Sequence, residues 1–219
     1  MEKINIKKFD TIIPIGFNCG TGMVLNNLNL RKMAFPLDWV VSNPMFVYTY
    51  FTTSFKDYFL KNKNDKKNYL GQEFNYFLKS DNHNTHNTEA DKEPNNNNNT
   101  IFENNKIKFE RRINRLLNIL KSNNKTLFVH MKEYKIKGQD ILNKNMINNE
   151  SLYDDYLNKL DEFINKKYPL LCHNLLIIDF GKEESIIIKN RIITLTLVCN
   201  KMDYERTIIS DNLKKFLNI

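Results

Sequence analysis

Residues 11–22 read Thr-Ile-Ile-Pro-Ile-Gly-Phe-Asn-Cys-Gly-Thr-Gly, an apolar run that gives way to small and polar turn residues. The apolar run predicts a short buried strand that ends at Gly16. The apolar residues from Met23 to Leu28 are spaced by about three or four positions, which predicts a helix. Cys19 is therefore expected at the turn from strand to helix, close to the amino end of that helix.

The remaining apolar segments alternate between predicted helices and predicted strands. One helix is expected at about residues 44–50, and apolar residues within 109–120, 157–164 and 213–217 mark three more, of which the second ends near Pro169. Strands are expected at residues 126–129, 175–178, 186–188 and 192–198. The strand cores are unbroken apolar runs, which is typical of strands buried on both faces. The pattern therefore predicts an α/β protein with a mainly parallel sheet flanked by helices on both sides. An antiparallel pair at the edge of the sheet is an alternative for the last two strands.

One domain spanning residues 1–219 is expected, because the length suits a single core and apolar residues form 41% of the chain. The segment at residues 81–105 is polar and includes the run from Asn95 to Asn99. Such a segment cannot bury enough apolar area to offset its ordering entropy. We interpret it as an Asn-rich insertion in that domain.

The net charge of +8 is scattered along the chain. The densest basic stretch, Lys61 to Lys67, is interrupted by Asn and Asp, which favours a solvated loop over a nucleic-acid groove. Residues 1–10 lack the continuous apolar region of a secretory signal, and no apolar run is long enough to cross a bilayer. We therefore expect a cytoplasmic protein without a membrane partner and without a nucleic-acid partner.

The sequence contains no recognisable motif for a metal or a cofactor. Its cysteines, Cys19, Cys172 and Cys199, form no CxxC pair and are too widely spaced for a disulfide framework. A phosphate-binding loop and a GxGxxG turn are both missing from the sequence. We therefore expect no metal and no cofactor, and no pattern indicates an oligomeric state.

Cys19 can act as a nucleophile only if its thiol is activated. A position at a helix amino end favours the thiolate by about 0.3 to 1 kcal/mol, which is less than one pKa unit. A nearby imidazolium is therefore needed as well. Without one, Cys19 is a small residue in a tight turn.

Four histidines are candidates for the base. His83 and His86 lie in the polar insertion, where an exposed loop position is the alternative interpretation. His130 follows a predicted strand and would lie at the carboxyl edge of a parallel sheet, where such proteins bind ligands, unless it is a rim residue. His173 precedes its strand and is expected at the opposite edge from Cys19, so it is set aside.

Two further polar features have more than one interpretation. Asp38 is flanked by apolar residues, and a buried carboxylate must be paired, so it either orients a histidine or caps a turn and pairs with Arg31. Arg111, Arg112 and Arg115 form a stripe away from the apolar face of their helix. This stripe is typical of a solvated helix face or of an anion-binding site.

Several of these segments resemble a family known as papain-like cysteine peptidases, otherwise a domain of unknown function in bacteria and large DNA viruses. Residues 14–19 are similar to the Ser-Leu-Gly-x-Asn-Cys of the family, and residues 36–39, Pro-Leu-Asp-Trp, are similar to its Pro-Phe-Asp-Trp. Further matches lie at residues 30–31, 82–83, 111–112 and 127–129. The chain departs from the family at Asn84, where the resemblance implies an aspartate.

The resemblance implies a catalytic site. Cys19 would attack an acyl carbon, with His83 as the base, and His86 fits the family pattern almost as well. Asp38 or Asn82 would orient the imidazole. Together with the residues considered above, this makes Cys19, His83 and Asp38 the expected catalytic set.

The resemblance also implies an oxyanion site and a fold. Backbone N–H groups around the nucleophile, at Asn18 and Gly20, would hold the oxyanion, with Asn82 in support. Papain-like folds pack the nucleophile helix on an antiparallel sheet, so an α+β fold is the alternative to the α/β fold that the periodicity predicts.

Three functions remain open at this point. The first is a peptidase-like thiol hydrolase that acts on a peptide or another acyl substrate. The second is a non-proteolytic α/β enzyme or binding domain that holds an anionic ligand with Arg111, Arg112 and Arg115. The third is a catalytically silent interaction protein that keeps the scaffold.

Overall fold

The strands of the computed structural model form two sheets. The structure describes residues 3–16, 19–38, 42–56, 58, 98–132, 150–198 and 206–219. Its strands are β1 Ile4–Asn5, β2 Thr11–Pro14, β3 Lys125–Met131, β4 Cys172–Gly181, β5 Ser185–Lys189, β6 Ile192–Val198 and β7 Leu217–Asn218. Strands β1 and β7 form a small parallel pair, and the other strands form the main sheet in the order β2-β3-β4-β6-β5.

Five α-helices lie within the described residues: α1 Cys19–Asn27, α2 Pro44–Thr52, α3 Asn98–Leu120, α4 Glu150–Lys167 and α5 Arg206–Phe216. A short 3₁₀ turn covers Ile6–Lys8. Each α-helix overlaps a segment in which the apolar spacing predicts one. The expectation is wrong at Leu217, however, because α5 ends at Phe216 and Leu217 pairs with Ile4 in the small parallel sheet. Among the described parts of the chain, no helix is both long enough and apolar enough to cross a membrane.

Helix α3 differs from the expectation at its amino end. It begins at Asn98, so residues 98–105, which we assigned to the polar insertion, are helical. A helix whose later turns are packed can extend backwards, because each added residue gains a backbone hydrogen bond without a new nucleus. Residues 81–97, the rest of the insertion, lie outside the described residues.

The main sheet is mostly parallel. Strands β2, β3, β4 and β6 pair in parallel, and β5 pairs with β6 in antiparallel orientation. This confirms the mainly parallel sheet with an antiparallel edge that the periodicity predicts. The sheet has a single antiparallel pair among the described strands, so it does not match the antiparallel sheet of the α+β alternative.

The buried apolar side chains form two clusters. Successive side chains of a strand point to opposite faces of its sheet. Accordingly, Phe128 of β3 belongs to one cluster, with side chains of α2, α3 and α4, whereas Leu127 and Val129 belong to the other, with side chains of α1 and α5. Each fully buried side chain of this kind stabilises the fold by about 1.5 to 3 kcal/mol.

Because β2 and β3 pair in parallel, their carboxyl ends lie next to each other. The N–H of Ile15 donates to the carbonyl of Val129 at 2.9 Å, and the N–H of Met131 donates to the carbonyl of Gly16 at 3.3 Å. Gly16 and Lys132 therefore leave the sheet side by side, and we call this rim the carboxyl edge. Helix α1 starts from it, and carboxyl edges of parallel sheets are where α/β proteins bind ligands.

Candidate active site

The turn from β2 to α1 is tightly enclosed at Gly16. Its φ of +120° lies in the region that favours glycine. A Cβ at this position would lie 2.7 Å from both the backbone oxygen and the Oγ of Ser42, and 3.3 Å from Cε1 of His130. The hydroxyl of Thr21 donates to the carbonyl of Gly16. Only glycine fits this turn, and the turn sets where α1 begins.

Cys19 is the first residue of α1. The sequence therefore predicts its place at the strand-to-helix turn correctly. Gly20 is buried in the first turn of this helix. The side chain of Cys19 and the whole of Asn18 lie outside the described residues, so the catalytic and oxyanion roles assigned to them stay predictions.

His130 is fully buried on β3, directly beside the Gly16 turn. Its Nε2 contacts the hydroxyl of Tyr153 on α4, and its Nδ1 lies 3.4 Å from the carbonyl oxygen of Ile15. A neutral ring satisfies both contacts when Nδ1 donates to Ile15 and Nε2 accepts from Tyr153. The ring thus links β2, β3 and α4 at the carboxyl edge.

Burial lowers the pKa of His130 to about 4, and the nearby charge of Lys132 lowers it too, against a raising effect of the Ile15 carbonyl. The imidazole is therefore neutral at neutral pH. Both of its nitrogens face other groups, and the ring carbon Cε1 faces Gly16. In this arrangement His130 positions the turn that leads to Cys19.

A charged cluster lies next to this ring. The Nζ of Lys132 lies 2.9 Å from Oδ2 of Asp179 and 3.2 Å from Oδ1 of Asp154, and 5.5 Å from the ring centre of Tyr153. Burial lowers the pKa of Lys132, but the hydrogen bonds and charges of the two carboxylates outweigh it and raise that pKa. The cluster therefore fixes a lysine cation beside the His130–Tyr153 pair. No sequence motif predicts this cluster, because Lys132 directly follows β3, Asp179 belongs to β4 and Asp154 belongs to α4.

Ser42 is a further buried polar residue at the same turn. Asn43, rather than Ser42, caps α2, since its Oδ1 accepts from the N–H of Phe46 at 3.0 Å. The hydroxyl of Ser42 has no hydrogen-bond partner among the described residues. No sequence pattern marks Ser42 as a site residue.

Asp38 pairs with Arg31, one of the two interpretations that the sequence leaves open. Its Oδ2 accepts from Nε and Nη2 of Arg31 at 2.9 and 2.5 Å and from the N–H of Phe35 at 3.0 Å. Burial raises the pKa of this carboxyl, against the lowering effects of Arg31 and of the Phe35 N–H. Neither His130 nor His173, the histidines within the described ranges, hydrogen-bonds to it.

Asp38 nevertheless lies against α1 through its backbone. A Cβ at Gly22 of α1 would lie 3.0 Å from the backbone oxygen of Asp38. The second carboxylate oxygen, Oδ1, is buried and has no hydrogen-bond partner in the described part of the chain. One carboxylate oxygen of Asp38 is thus without a partner among the described residues.

The arginines of the stripe on α3 differ in their contacts. Arg115 donates from Nη1 to the carbonyl of Ala34 at 2.6 Å, and the guanidinium of Arg112 lies 4.9 Å from the ring centre of Phe109. Arg111 is exposed and, together with Arg115, lines an open groove of about 840 Å³ that also contains Thr11, the first residue of β2. The groove therefore lies towards the amino end of β2 and not at the carboxyl edge.

Of the other three histidines, His173 alone lies within the described residues. His173 is buried near the amino end of β4, where its Nε2 contacts Oδ1 of Asp161 at 2.9 Å, as expected for a residue at the opposite edge from Cys19. Asn82, His83 and His86 lie outside the described residues. Their roles stay predictions.

The fold and the site together define a mixed α/β protein with a cysteine at the start of the helix that follows an edge strand. The chain belongs to the family described as "Putative papain-like cysteine peptidase (DUF1796)", whose model matches residues 10–151. This range includes β2, α1, Asp38, α3 and β3. No curated protein and no solved structure matches the chain.

Proposed function

We propose that this chain is a thiol hydrolase of the peptidase type, with Cys19 as the nucleophile and a peptide or another acyl compound as the substrate. The observation that carries the proposal is the position of Cys19, the first residue of α1, just after the enclosed Gly16 turn at the carboxyl edge. A helix amino end favours a thiolate. Membership of the papain-like family points to the same chemistry.

In the proposed reaction the Cys19 thiolate attacks the carbonyl carbon of the substrate. The bond between that carbon and the leaving amine breaks, a thioester forms on Cys19, and the amine takes a proton from the protonated base. Water then attacks the thioester with the base accepting its proton, which releases the acid and restores the thiol. Backbone N–H groups at Asn18 and Gly20 would hold the oxyanion in both steps.

The base in this proposal is His83, with His86 as the alternative. His130 is the weaker candidate, because a pKa lowered to about 4 makes its ring a poor proton acceptor and both of its nitrogens already face other groups. Asp38 retains one buried carboxylate oxygen without a partner among the described residues, which suits the role of orienting the imidazole. Asn82 is the other candidate for that role.

We further propose that the main sheet is the middle of three layers. Its alternate side chains belong to two separate clusters, one shared with α2, α3 and α4 and the other shared with α1 and α5. Such layering leaves the carboxyl edge as an open rim on which α1 begins.

Covalent trapping tests the assignment of the nucleophile. The full-length protein is incubated at neutral pH with a peptidyl acyloxymethyl ketone, a carbonyl electrophile that activated thiols attack, and peptide mapping locates the adduct. We expect the adduct on Cys19 to form at least about a hundredfold faster than on the exposed Cys172, because assistance by a base contributes about 10²- to 10⁴-fold. Cys19→Ser should abolish this adduct, and Cys172→Ser should leave it unchanged.

Comparable labelling rates at Cys19 and Cys172 would contradict the proposal. If labelling at Cys19 is fast, His83→Ala and His86→Ala distinguish the two candidate bases. Loss of the true base should slow labelling of Cys19 by a similar factor, while the rate at Cys172 in the same sample stays constant.

A further inference from the structure

The open groove beside α3 lies outside the proposed active site. Met33 and Ile107 line it, and these side chains are 40% and 63% exposed. Its volume of about 840 Å³ falls within the roughly 300 to 1,000 Å³ of binding pockets. Large apolar side chains that stay exposed in such a groove are typical of a surface that binds a partner.

One wall of the groove is a row of side chains along α3. The row consists of four residues, three or four positions apart: Ile107, Arg111, Asn114 and Asn118. Residues at this spacing lie on the same face of a helix, and at about 1.5 Å per residue the row is roughly 16 Å long. An extended chain rises about 3.3 Å per residue, so the row matches about five residues of an extended peptide.

The charged side chains of the groove favour an acidic partner. The groove is lined by two arginines, Arg111 and Arg115, and by one glutamate, Glu110. Arg111 is exposed and pairs with no carboxylate among the described residues. Arg115 donates from Nη1 to the carbonyl of Ala34 at 2.6 Å, which fixes its guanidinium at the wall. Because a guanidinium binds a carboxylate through two parallel hydrogen bonds, the groove complements a ligand that carries carboxylates.

We propose that this groove binds an extended peptide segment that carries both acidic and apolar side chains. The carboxylates of the segment pair with Arg111 and Arg115, and its apolar side chains cover Met33 and Ile107. This assignment takes up two of the three arginines of the stripe on α3. It does not depend on Cys19 being a nucleophile.

The other lining residues favour a peptide over a nucleic acid. The groove holds three amide side chains, those of Asn114, Asn118 and Asn124. Each amide offers both donors and an acceptor, which match the C=O and N–H groups of a peptide backbone. No aromatic ring among the described residues lines the groove, so a base has no ring on which to stack. Glu110 would also repel a continuous phosphate backbone, whereas a peptide can place a neutral residue beside it.

Methyl signals in the groove report binding directly. The full-length chain carries Cys19→Ser, so that hydrolysis cannot consume the probe, and its Met and Ile methyl groups are labelled for NMR. The probe is a mixture of acetylated pentapeptide amides built from Glu, Leu and Ala, with a second mixture in which Gln replaces Glu. We expect the Glu mixture to shift the signals of Met33 and Ile107 saturably. Arg111→Gln should weaken this binding about fivefold, as expected for the loss of an exposed ion pair, and the Gln mixture should bind at least that much more weakly.

The matched control is Lys215→Gln, which removes one exposed positive charge from α5, a helix whose buried side chains belong to the other cluster. It should leave the affinity unchanged, and the methyl signals of Ile187 and Ile188 on β5 should not shift. Equal affinity for the two mixtures overturns the proposal, as does binding that is insensitive to Arg111→Gln or an absence of shifts at the groove. Tighter binding of a single-stranded DNA of ten thymidines at the same signals also overturns it.

Discussion

Replacing Asp38 with alanine is expected to lower the free energy of unfolding by about 3 to 5 kcal/mol. The substitution removes the carboxylate that accepts from Nε and Nη2 of Arg31, whose side chain is only 16% exposed. It also removes the acceptor of the Phe35 N–H. Removing one partner of a buried pair is costly because the other charge stays buried and uncompensated.

Urea unfolding at neutral pH measures this loss. Asp155→Ala is the matched control, because Asp155 pairs with Lys159 on the surface of α4 with both side chains about half exposed. Such a pair contributes roughly 0.5 kcal/mol or less. If the two alanine variants are equally stable, the Asp38–Arg31 pair does not stabilise the turn at residues 35–38.

The wild-type protein is expected to lose up to about 3 kcal/mol of stability through His130 as the pH falls from about 6.5 to about 4. The pKa of His130 is lowered to about 4 in the folded state, below the ordinary value of 6.5. Between these two pH values the unfolded chain binds a proton that the folded chain does not, so acid favours unfolding. Below about pH 4 both states are protonated, and His130 adds no further pH dependence.

Unfolding free energies measured from pH 7.5 down to pH 4 test this linkage. His130→Gln should flatten the curve in that window, whatever its stability at pH 7.5. Asp161 does not contribute to the pH dependence of stability in this window. Burial raises its pKa, but hydrogen bonds from His173 and Arg191 outweigh burial and lower it. The contribution of Asp161 is therefore lost only below the ordinary pKa of an aspartate, about 3.9. Equal slopes for the wild type and His130→Gln would rule out a buried neutral His130.

Apolar spacing is sufficient to predict most elements of this fold. Leu127, Phe128 and Val129 predict β3, and the apolar face from Phe109 to Leu120 predicts the later turns of α3. Apolar spacing does not predict the start of α3 at Asn98. Residues 98–105 are mostly polar and carry no periodic apolar signal, so their helix depends on the packed turns that follow it.

The candidate site divides into a local part and a long-range part. The place of Cys19 is local, because an apolar run, a glycine and a helical pattern follow each other directly. The pairing of Asp38 with Arg31 spans seven positions and was one of two interpretations. The contacts of His130 are not local, since Ile15 lies 115 positions away and Tyr153 lies 23 positions away. They depend on the register of β2 with β3 and on where α4 packs, which composition does not encode.

The identity of the reacting thiol is the central claim, and its ionisation tests that claim most directly. The rate of alkylation by iodoacetamide is measured at Cys19 as a function of pH by mass spectrometry of the intact folded protein and its peptides. Cys172, which is exposed, serves as the reference thiol in the same sample. We expect the rate at Cys19 to reach half of its maximum below about pH 7.5, as for an activated thiolate. A rate at Cys19 that rises only around pH 8.5, as for an ordinary thiol, would contradict its role as the nucleophile.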